Sequence, residues 1–259
     1  MGRVGRSPAL LGLMGLVAFG ALIEVLPHTG LVKAEYFPPS SRIARALWQE
    51  VGRPEFRAAL GDTLLTWITG LAIAVAGGVV VGVLIGSVPL LREFTASTVE
   101  FLRPIPSVAL IPGLVVLLAK SPATLFIVVY AAFWPMLIQV LYGVGDVDPV
   151  ARDTARSYHL GALRRVRYVL WPTALPYVMT GIRLSASIAL ILTITGELII
   201  GSPGLGYEID LAYTALDPPT MFALIVVTAL IGVVANTLTR AAERRVLRWH
   251  PSVRGEIPV

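Results

Sequence analysis

Cysteine, charge and catalytic motifs are what this chain of 259 residues lacks. The absence of cysteine excludes a disulfide framework, a thiol nucleophile and a thiolate metal site. Charged residues make up only 14% of the chain, against roughly 25% in a typical soluble domain. The three histidines, His28, His159 and His250, lie in separate segments without acidic residues at ligand spacing, which argues against a metal site. With 56% hydrophobic residues, the composition is that of a membrane protein.

Two motifs for enzymatic chemistry are also missing. No G-x-x-x-x-G-K-[ST] loop is present to bind nucleotide phosphates, and no G-x-S-x-G sequence is present to hold a serine nucleophile. The glycines that do cluster are Gly77, Gly78, Gly82 and Gly86, and no lysine is near them. Their four-residue spacing from Gly78 onward is typical of small residues that let two membrane helices approach closely. Lining of a transport pathway is the alternative.

The hydrophobic residues come in long uncharged runs. Residues 63–91, 121–145 and 218–239 contain no charged side chain, and a helix needs about 20 apolar residues to cross a bilayer. Six predicted spans fit these runs: 8–27, 63–88, 104–119, 122–142, 175–200 and 221–238. We therefore expect an all-α polytopic membrane protein with six transmembrane helices.

The third span is the weakest of the six. It is short and contains Pro104, Pro106 and Pro112. Proline in a membrane helix is tolerated where neighbouring groups satisfy the freed carbonyls, so we expect this helix to be buried or broken. The alternative is a re-entrant segment that enters and leaves the membrane on one side.

The first span has an alternative as well. Arg3 and Arg6 precede its apolar run, an arrangement that is also typical of a cleaved signal peptide. The nearest sequence similar to a cleavage site, Val32-Lys33-Ala34, lies far beyond the run, and Pro27 intervenes. We therefore expect a retained transmembrane helix.

The distribution of positive charge predicts the orientation. If both termini are cytoplasmic, the inner segments hold 14 of the 21 Lys and Arg residues: two before the first span, two in 89–103, five in 143–174 and five after Thr239. The outer loop 201–220 holds none. Positive charge on the inside is the usual bias. The first outer loop is the exception, with Lys33, Arg42, Arg45, Arg53 and Arg57.

A surface helix accounts for that first outer loop. Pro38-Pro39 ends the preceding segment, and Ser40 or Ser41 can cap a helix. Apolar residues then follow at four-residue intervals: Ile43, Leu47 and Val51. This spacing predicts an amphipathic helix on the outer membrane surface, with a solvated connector as the alternative.

The most informative stretch is a charged island between two apolar runs, residues 148–172. Asp148 can cap a helix whose first position is Pro149, and no further proline follows until Pro172. The segment should therefore be helical, with a possible break at Gly161. By orientation it is cytoplasmic. A short helix of this kind, basic on one side and apolar on the other, suits a groove on a partner protein. Attraction to anionic lipid is the alternative.

Within the island, the sequence DTARSYH, followed nine residues later by Val169-Leu170-Trp171-Pro172, resembles the EAA signature of binding-protein-dependent ABC importer permeases. Asp153 stands at the place of the signature's glutamate, and Thr154 and Ala155 stand at those of its two alanines. The closing Ile, Leu and Pro of the signature correspond to Val169, Trp171 and Pro172. His159 replaces the signature's glycine, so the kink of the loop can instead fall at Gly161.

Other stretches along the chain are similar to the sulfonate, taurine and nitrate permeases of this family. They are Tyr36-Phe37-Pro38-Pro39, Thr63-Leu64-Leu65, Arg103-Pro104-Ile105-Pro106-Ser107, Ala174-Leu175-Pro176, Gly181-Ile182-Arg183, Gly204-Leu205-Gly206-Tyr207 and the tail 243–249. The chain is therefore identified as a member of this MetI-like permease group. The resemblance covers nearly the whole sequence.

The resemblance implies a MetI-like fold with a cytoplasmic coupling helix that seats in a cleft of an ATPase subunit. The residues it assigns to ATPase coupling are Asp153, Thr154, Ala155, His159, Gly161, Val169 and Pro172. Two permease copies, as a homodimer, would form the pathway, two cytoplasmic ATPases would dock below, and an extracytoplasmic binding protein would deliver the solute. ATP and Mg would be used by the ATPase, so this chain itself binds no cofactor and is no enzyme. The implied solute is a sulfonate, taurine or nitrate-like anion, although the group also includes pyrimidine transporters.

Two ionisable residues inside the fifth span, Arg183 and Glu197, are candidates for the translocation pathway. They lie 14 residues apart, about 21 Å along a helix axis, and charges in membrane helices usually face a cavity or a partner. Arg183 can pair with a passing anion or extend to the interface. Glu197 can line a gate or cap local backbone.

The same features weigh against two other classes of protein. A secondary transporter would show an internal repeat with paired broken helices, and no clear repeat is present. A membrane enzyme would need catalytic residues clustered at one depth.

The predicted organisation is a cytoplasmic tail (1–7), a first helix with an outer amphipathic segment (8–62), a five-helix core (63–238) with the coupling loop 143–174, and a basic cytoplasmic tail (239–259).

Overall fold

The uncharged runs of the sequence become long helices in a computed structural model, which describes residues 8–30 and 32–249. The predicted tail 1–7 and residues 250–259 lie outside this part of the chain. Its α-helices, in order, are α1 Pro8–Val25, α2 Ser40–Val51, α3 Pro54–Ser87, α4 Pro89–Leu102, α5 Ile111–Leu117, α6 Lys120–Gly145, α7 Pro149–Ser157, α8 Ala162–Arg165, α9 Trp171–Ile200, α10 Leu205–Thr214 and α11 Pro218–Val246. No strand occurs among the described residues.

Five continuous helices are long and apolar enough to cross a membrane. They are Leu10–Thr29, Pro54–Ser87, Lys120–Gly145, Ala162–Ile200 and Pro218–Val246. The fourth of these is continuous because a single π-helical turn, Val166–Leu170, joins α8 to α9. The predicted all-α membrane architecture is confirmed, although four of these helices begin before the predicted spans, most of all Pro54–Ser87 and Ala162–Ile200. The proposed boundary at residue 62 therefore falls inside α3.

The predicted span over 104–119 is broken, which is one of the outcomes expected from its prolines. α4 and the helical stretch Ser107–Leu117 are bent by 80° relative to each other. Pro104 and Pro106 lie in the bend, where their missing N–H groups prevent a continuous helical ladder. The Leu102 carbonyl at the end of α4 accepts hydrogen bonds from the Ile105 N–H at 3.2 Å and from the Tyr130 hydroxyl at 2.9 Å.

Small residues bring α3 and α6 together, as their spacing predicts. A Cβ atom added to Gly78 would lie 2.8 Å from Met136 Cβ, and one added to Gly82 would lie 2.7 Å from Val140 Cβ. At Gly86 the added atom would lie 2.7 Å from a Val144 methyl carbon. The interpretation of these glycines as packing residues is confirmed, because only a hydrogen atom fits at each position.

α9 packs antiparallel to α6. Ser185 donates a hydrogen bond to the Ala132 carbonyl at 2.7 Å, and both groups are buried. Gly143 contacts Ala174 near one end of the pair, whereas Gly196 contacts Thr124 near the other. The core of the molecule is therefore the α3–α6–α9 layer.

α2 lies against the protein rather than only along a membrane surface. Ile43 and Ala46 are buried in a cluster with Ala223 of α11, whereas Val51, expected on the same apolar face, is half exposed. The predicted cap is also different: the carboxylate of Glu24, in α1, accepts hydrogen bonds from the Ser41 backbone N–H at 2.8 Å and from both serine hydroxyls. α1 therefore holds the start of α2.

The two ends of the helix bundle differ in charge. α3, α6 and α11 end where α7 and α8 lie, and this end carries the arginines of 143–174 and of the α11 terminus. We refer to it as the basic end. α2 and α10 lie at the opposite end, where Arg53 pairs with Glu50 at 2.8 Å and with Glu55 at 3.7 Å. This pairing offsets part of the positive charge that made the first outer loop an exception.

Candidate functional site

The 148–172 segment begins with a capped helix at the basic end. Asp148 Oδ1 accepts a hydrogen bond from the Val150 backbone N–H at 2.8 Å, and Pro149 occupies the first turn, where an N–H would have no helical partner. The start of α7 is therefore confirmed as the sequence predicts it.

α7 ends in a left-handed turn built around His159, whose φ is 52°. The Leu160 N–H donates to the Ala155 carbonyl at 3.0 Å, and the His159 N–H donates to the Arg156 carbonyl at 2.9 Å. This pair of bonds is a Schellman cap, whose left-handed residue is usually glycine. His159 thus stands in the backbone conformation that explains a glycine at the same place in the family signature.

Gly161 does not provide that kink. The break between α7 and α8 includes Gly161, as expected, but this residue has φ −60° and ψ 159°, an extended conformation open to any residue. It caps the start of α8 instead. The expectation that Gly161 takes over the role of the signature glycine is wrong, because histidine is among the residue types that adopt the left-handed region more readily than most.

The seven predicted coupling residues fall into three groups by exposure. The exposed residues are Asp153, Thr154, His159 and Gly161. Ala155 is buried, and Val169 and Pro172 are partly buried. The first group contacts little outside its own turn. Asp153 pairs with Arg156 at 3.5 Å, and the Thr154 hydroxyl donates to the Val150 carbonyl at 2.7 Å. Their side chains are therefore available at the surface.

Ala155 faces the bundle. It is 5% exposed and lines, with Val144, Val147 and Val169, a cavity of ≈ 470 Å³ between α7 and the ends of the spans. Ala155 and Val169 therefore hold the segment against the membrane-spanning bundle, and a small residue at position 155 lets α7 lie close to it.

Four large side chains that the sequence did not single out are exposed on this segment: Val150 (71%), Tyr158 (77%), Leu163 (83%) and Tyr168 (65%). Arg152, Arg156, Arg164 and Arg167 lie exposed among them. We call these eight residues the basic apolar surface. Exposed aromatic and aliphatic side chains beside arginines are typical of protein interfaces. In the sequence, the signal that could have identified this surface is the presence of these four large side chains in an otherwise polar loop.

Glu197 forms a second, buried cluster near the opposite end. Its Oε2 atom accepts hydrogen bonds from the Thr63 hydroxyl and from the Gly206 backbone N–H, each at 2.9 Å. The Thr63 hydroxyl in turn accepts one from the Leu205 N–H at 2.8 Å. Two first-turn N–H groups of α10 thus find acceptors on α3 and α9. Of the two roles that the sequence left open for Glu197, the contacts are those of a backbone cap.

The glycines of the 201–206 loop make this cluster possible. Gly204 has φ 150°, and an added Cβ there would overlap the Glu197 carboxylate. A Cβ at Gly206 would meet the Ile194 carbonyl. Two stretches that resemble the permease group, at Thr63 and at 204–207, therefore meet at Glu197 although they are far apart in sequence.

Arg183 also has a partner within the chain. Its guanidinium donates to Glu243 Oε2 on α11 at 3.2 Å, near the basic end. Arg183 and Glu197 thus contact different elements, and the structure does not bring them together in one site. Their roles in a pathway stay predictions. No group of three or more metal-ligating His or acidic side chains occurs in the described ranges 8–30 and 32–249.

Comparison with protein families decides the identity of this arrangement. Residues 78–248 match the model of the binding-protein-dependent transport system inner membrane component. The chain belongs to this family of ABC transporter permeases. The match includes the whole 148–172 segment, the α6–α9 layer and α11, so this permease is a multi-pass inner-membrane protein rather than an ATPase subunit.

Individual relatives agree with the family. The taurine transport system permease protein of Escherichia coli is 28% identical over 86% of this chain and 83% of its own length. A probable ABC transporter permease protein of Brucella melitensis is 31% identical over 70% of this chain and 74% of its own. The nitrate import permease protein of Leptolyngbya laminosa is 25% identical over 80% of this permease and 77% of its own length.

Solved structures show the same fold. An inward-facing methionine ABC transporter superposes with a TM-score of 0.57 at 19% identity, covering 72% of this permease and 95% of that chain. An amino acid ABC transporter with histidines gives a TM-score of 0.58 at 20% identity, covering 74% and 94%. The predicted MetI-like fold is confirmed.

Proposed function

We propose that this permease is the membrane subunit of an ATP-driven importer for a small oxyanion of the sulfonate, taurine or nitrate type. Relatives that match 80% or more of this chain are named for taurine, aliphatic sulfonates, nitrate and bicarbonate. Each of these solutes presents negatively charged oxygens. In this proposal both termini and the basic end face the cytoplasm, which agrees with the bias of arginine towards that end.

The observation that carries the coupling role is the basic apolar surface. α7 is fastened at its start by the Asp148 cap, at its side by Ala155 and at its end by the Schellman turn. Tyr158 and Leu163 are left more than three-quarters exposed beneath the bundle. A rigid short helix with apolar anchors and a basic rim suits insertion into a groove of a cytoplasmic ATPase subunit, which hydrolyses ATP with Mg.

A second permease copy and an extracytoplasmic binding protein complete the proposed importer. α4 supports the second copy: it has no buried residue, and Arg92, Glu93 and Glu100 on it make no ion pair within the described part of the chain. Charges within a span are costly in lipid and usually face protein or a water-filled cavity. We propose a homodimer that covers α4, with two ATPase subunits, one beneath each copy.

Matched tyrosines at the two ends of the bundle test the coupling role. Tyr158 on α7 and Tyr213 on α10 are both exposed, at 77% and 65%. Tyr158→Ser should weaken co-purification with a cytoplasmic ABC ATPase that binds the wild-type permease by about tenfold or more, because aromatic anchors dominate such interfaces. Tyr213→Ser should leave it unchanged. Retention of the ATPase by Tyr158→Ser, with loss by Tyr213→Ser, would place the ATPase at the other end.

A further inference from the structure

A cavity of ≈ 390 Å³ lies where the broken span meets α6 and α9. The bend of the broken span contributes Arg103 and Ser107, α6 contributes Tyr130, Trp134 and Gln139, and the apolar remainder comes from Ile105, Ala131, Pro135, Ile138, Leu184 and Ile188. Its polar side chains thus come from two elements that the α4–α5 bend brings side by side.

Apart from Tyr130, whose hydroxyl donates to the Leu102 carbonyl, the hydrogen-bonding side chains of this cavity have no partner within the described residues. Trp134 Nε1 is buried and has no hydrogen-bond acceptor. No side-chain hydrogen bond or ion pair of Arg103, Ser107 or Gln139 occurs within residues 8–30 and 32–249. A buried donor without an acceptor costs about 1–3 kcal/mol, so a ligand that accepts a hydrogen bond from the Trp134 indole would be stabilised here. Arg103 is exposed, and Ser107 and Gln139 are partly buried, so their polar groups are available to the same ligand.

The charge of the lining selects the kind of ligand. Arg103 is its single charged residue, and no carboxylate lines it. The nearest acid along the chain, Glu100, lines a separate neighbouring cavity that Arg103 also borders, together with Arg92. A net positive lining with a guanidinium, an indole N–H, a hydroxyl and an amide matches the oxygens of a small anion.

The cavity also lies at mid-depth in the membrane. Trp134 is 14 residues from the start of α6 and 11 from its end, or about 21 Å and 16 Å along the axis. Leu184 and Ile188 are likewise near the middle of α9. Irregular backbone at this depth is tolerated where it lines a cavity, and discontinuous helices at the midplane are where transporters bind solutes.

We propose that Arg103, Ser107, Trp134 and Gln139 form a solute-contact site for a small oxyanion, such as a sulfonate or nitrate, at mid-membrane. This inference rests on the proposed function and adds the residues that recognise the solute within the permease. It also replaces Arg183 and Glu197, which are engaged with Glu243 and with the start of α10, as the candidates for solute contact.

The test is uptake by the complete complex in proteoliposomes, with ATP inside and saturating loaded binding protein outside. The probes are radiolabelled taurine, ethanesulfonate and nitrate. Since the binding protein is unchanged and saturating, a difference in maximal velocity between variants arises in the permease. Gln139→Glu keeps the side-chain shape and adds a negative charge, and Arg103→Gln removes the positive one, whereas Arg103→Lys retains it. Arg240→Gln, at an exposed position on α11, is the control, because it removes a positive charge outside the cavity.

Gln139→Glu and Arg103→Gln should each lower maximal anion uptake about tenfold, since hydrogen bonds to charged groups are the strong ones. Arg103→Lys should retain most activity, and Arg240→Gln all of it, while every variant co-purifies with the ATPase. Wild-type uptake velocity in Gln139→Glu or Arg103→Gln would overturn the site and leave the proposed function intact. Failure of the wild-type permease to bind the ATPase would instead overturn the proposed function and this inference with it.

Discussion

Thr63 donates a hydrogen bond to the Glu197 carboxylate at 2.9 Å, although 134 residues separate them in the sequence. The bond connects the beginning of the transmembrane part of α3 with the end of α9. Because the Leu205 and Gly206 N–H groups donate to the same two side chains, α10 is fixed onto both helices. A fully buried carboxylate in an apolar span is thereby explained as the cap of the neighbouring helix.

Replacing Glu197 separates capping from transport. Glu197→Leu leaves the Thr63 hydroxyl and the Gly206 N–H without an acceptor, and each such loss costs about 1–3 kcal/mol. We expect a lower temperature of thermal unfolding in detergent. Glu197→Gln keeps an accepting oxygen and should retain both stability and uptake. Glu35→Leu, at an exposed position between α1 and α2, is the control for loss of a carboxylate. Normal stability of Glu197→Gln with abolished uptake would assign Glu197 to the pathway instead.

The left-handed turn predicts opposite effects of two substitutions at His159 and no effect of a substitution at Gly161. His159→Gly should stabilise the end of α7, because glycine adopts φ near 52° without steric cost. His159→Val should destabilise it by about 1 kcal/mol, because a β-branched residue adopts the left-handed region less readily than histidine. Hydrogen exchange of the backbone amides in 155–160 measures both effects. Gly161→Ala, at φ −60°, is the control and should be neutral. Strong destabilisation by Gly161→Ala with none by His159→Val would contradict the turn.

Adjacent glycines on α3 test the close contact with α6. In Gly78→Ala the new Cβ lies 2.8 Å from Met136 Cβ, whereas in Gly77→Ala it lies 3.7 Å from a ring carbon of Phe133. Overpacking of this kind costs about 1–3 kcal/mol, so only Gly78→Ala should lower the temperature of thermal unfolding. Equal effects of the two substitutions would mean that helix propensity, rather than packing, governs these positions.

Glu208 on α10 gives the opposite end a pH-dependent stability. Burial raises the pKa of its carboxyl above 4.5, with Glu50 and Glu55 adding to the increase and Arg53 opposing it. A raised pKa means that the folded state binds the proton more tightly, so stability decreases as the pH rises above about 4.5. Glu208→Gln should therefore raise the unfolding temperature at neutral pH and leave it unchanged at pH values below 4.5. An identical gain at both pH values would exclude titration as the cause.

Periodic and local features were predictable from the sequence. Long uncharged runs gave the spans, Asp148 before Pro149 gave the start of α7, and the four-residue glycine spacing gave the contact with α6. Each of these depends on residues close together in the chain, where backbone geometry and the bilayer fix the outcome.

Contacts between distant segments were not predictable in this way. Glu197 gains its role from Thr63 and the 204–206 loop, and Arg183 is engaged by Glu243, because of how the helices pack. The Schellman bonds place the left-handed turn at His159, and the prediction of a kink at Gly161 considered only which residue type adopts that conformation most easily. Trp134 and Gln139 look like ordinary residues of a span until the broken helix forms a cavity beside them.

Site-specific cross-linking tests the central claim most directly, since the chain has no cysteine and each introduced thiol is unique. Tyr158→Cys and Tyr213→Cys place one thiol at each end of the bundle, and a short maleimide–succinimide reagent joins it to a neighbouring lysine. Docking of the 148–172 segment on the ATPase predicts a permease–ATPase product from Tyr158→Cys and none from Tyr213→Cys. A product from Tyr213→Cys alone would contradict it.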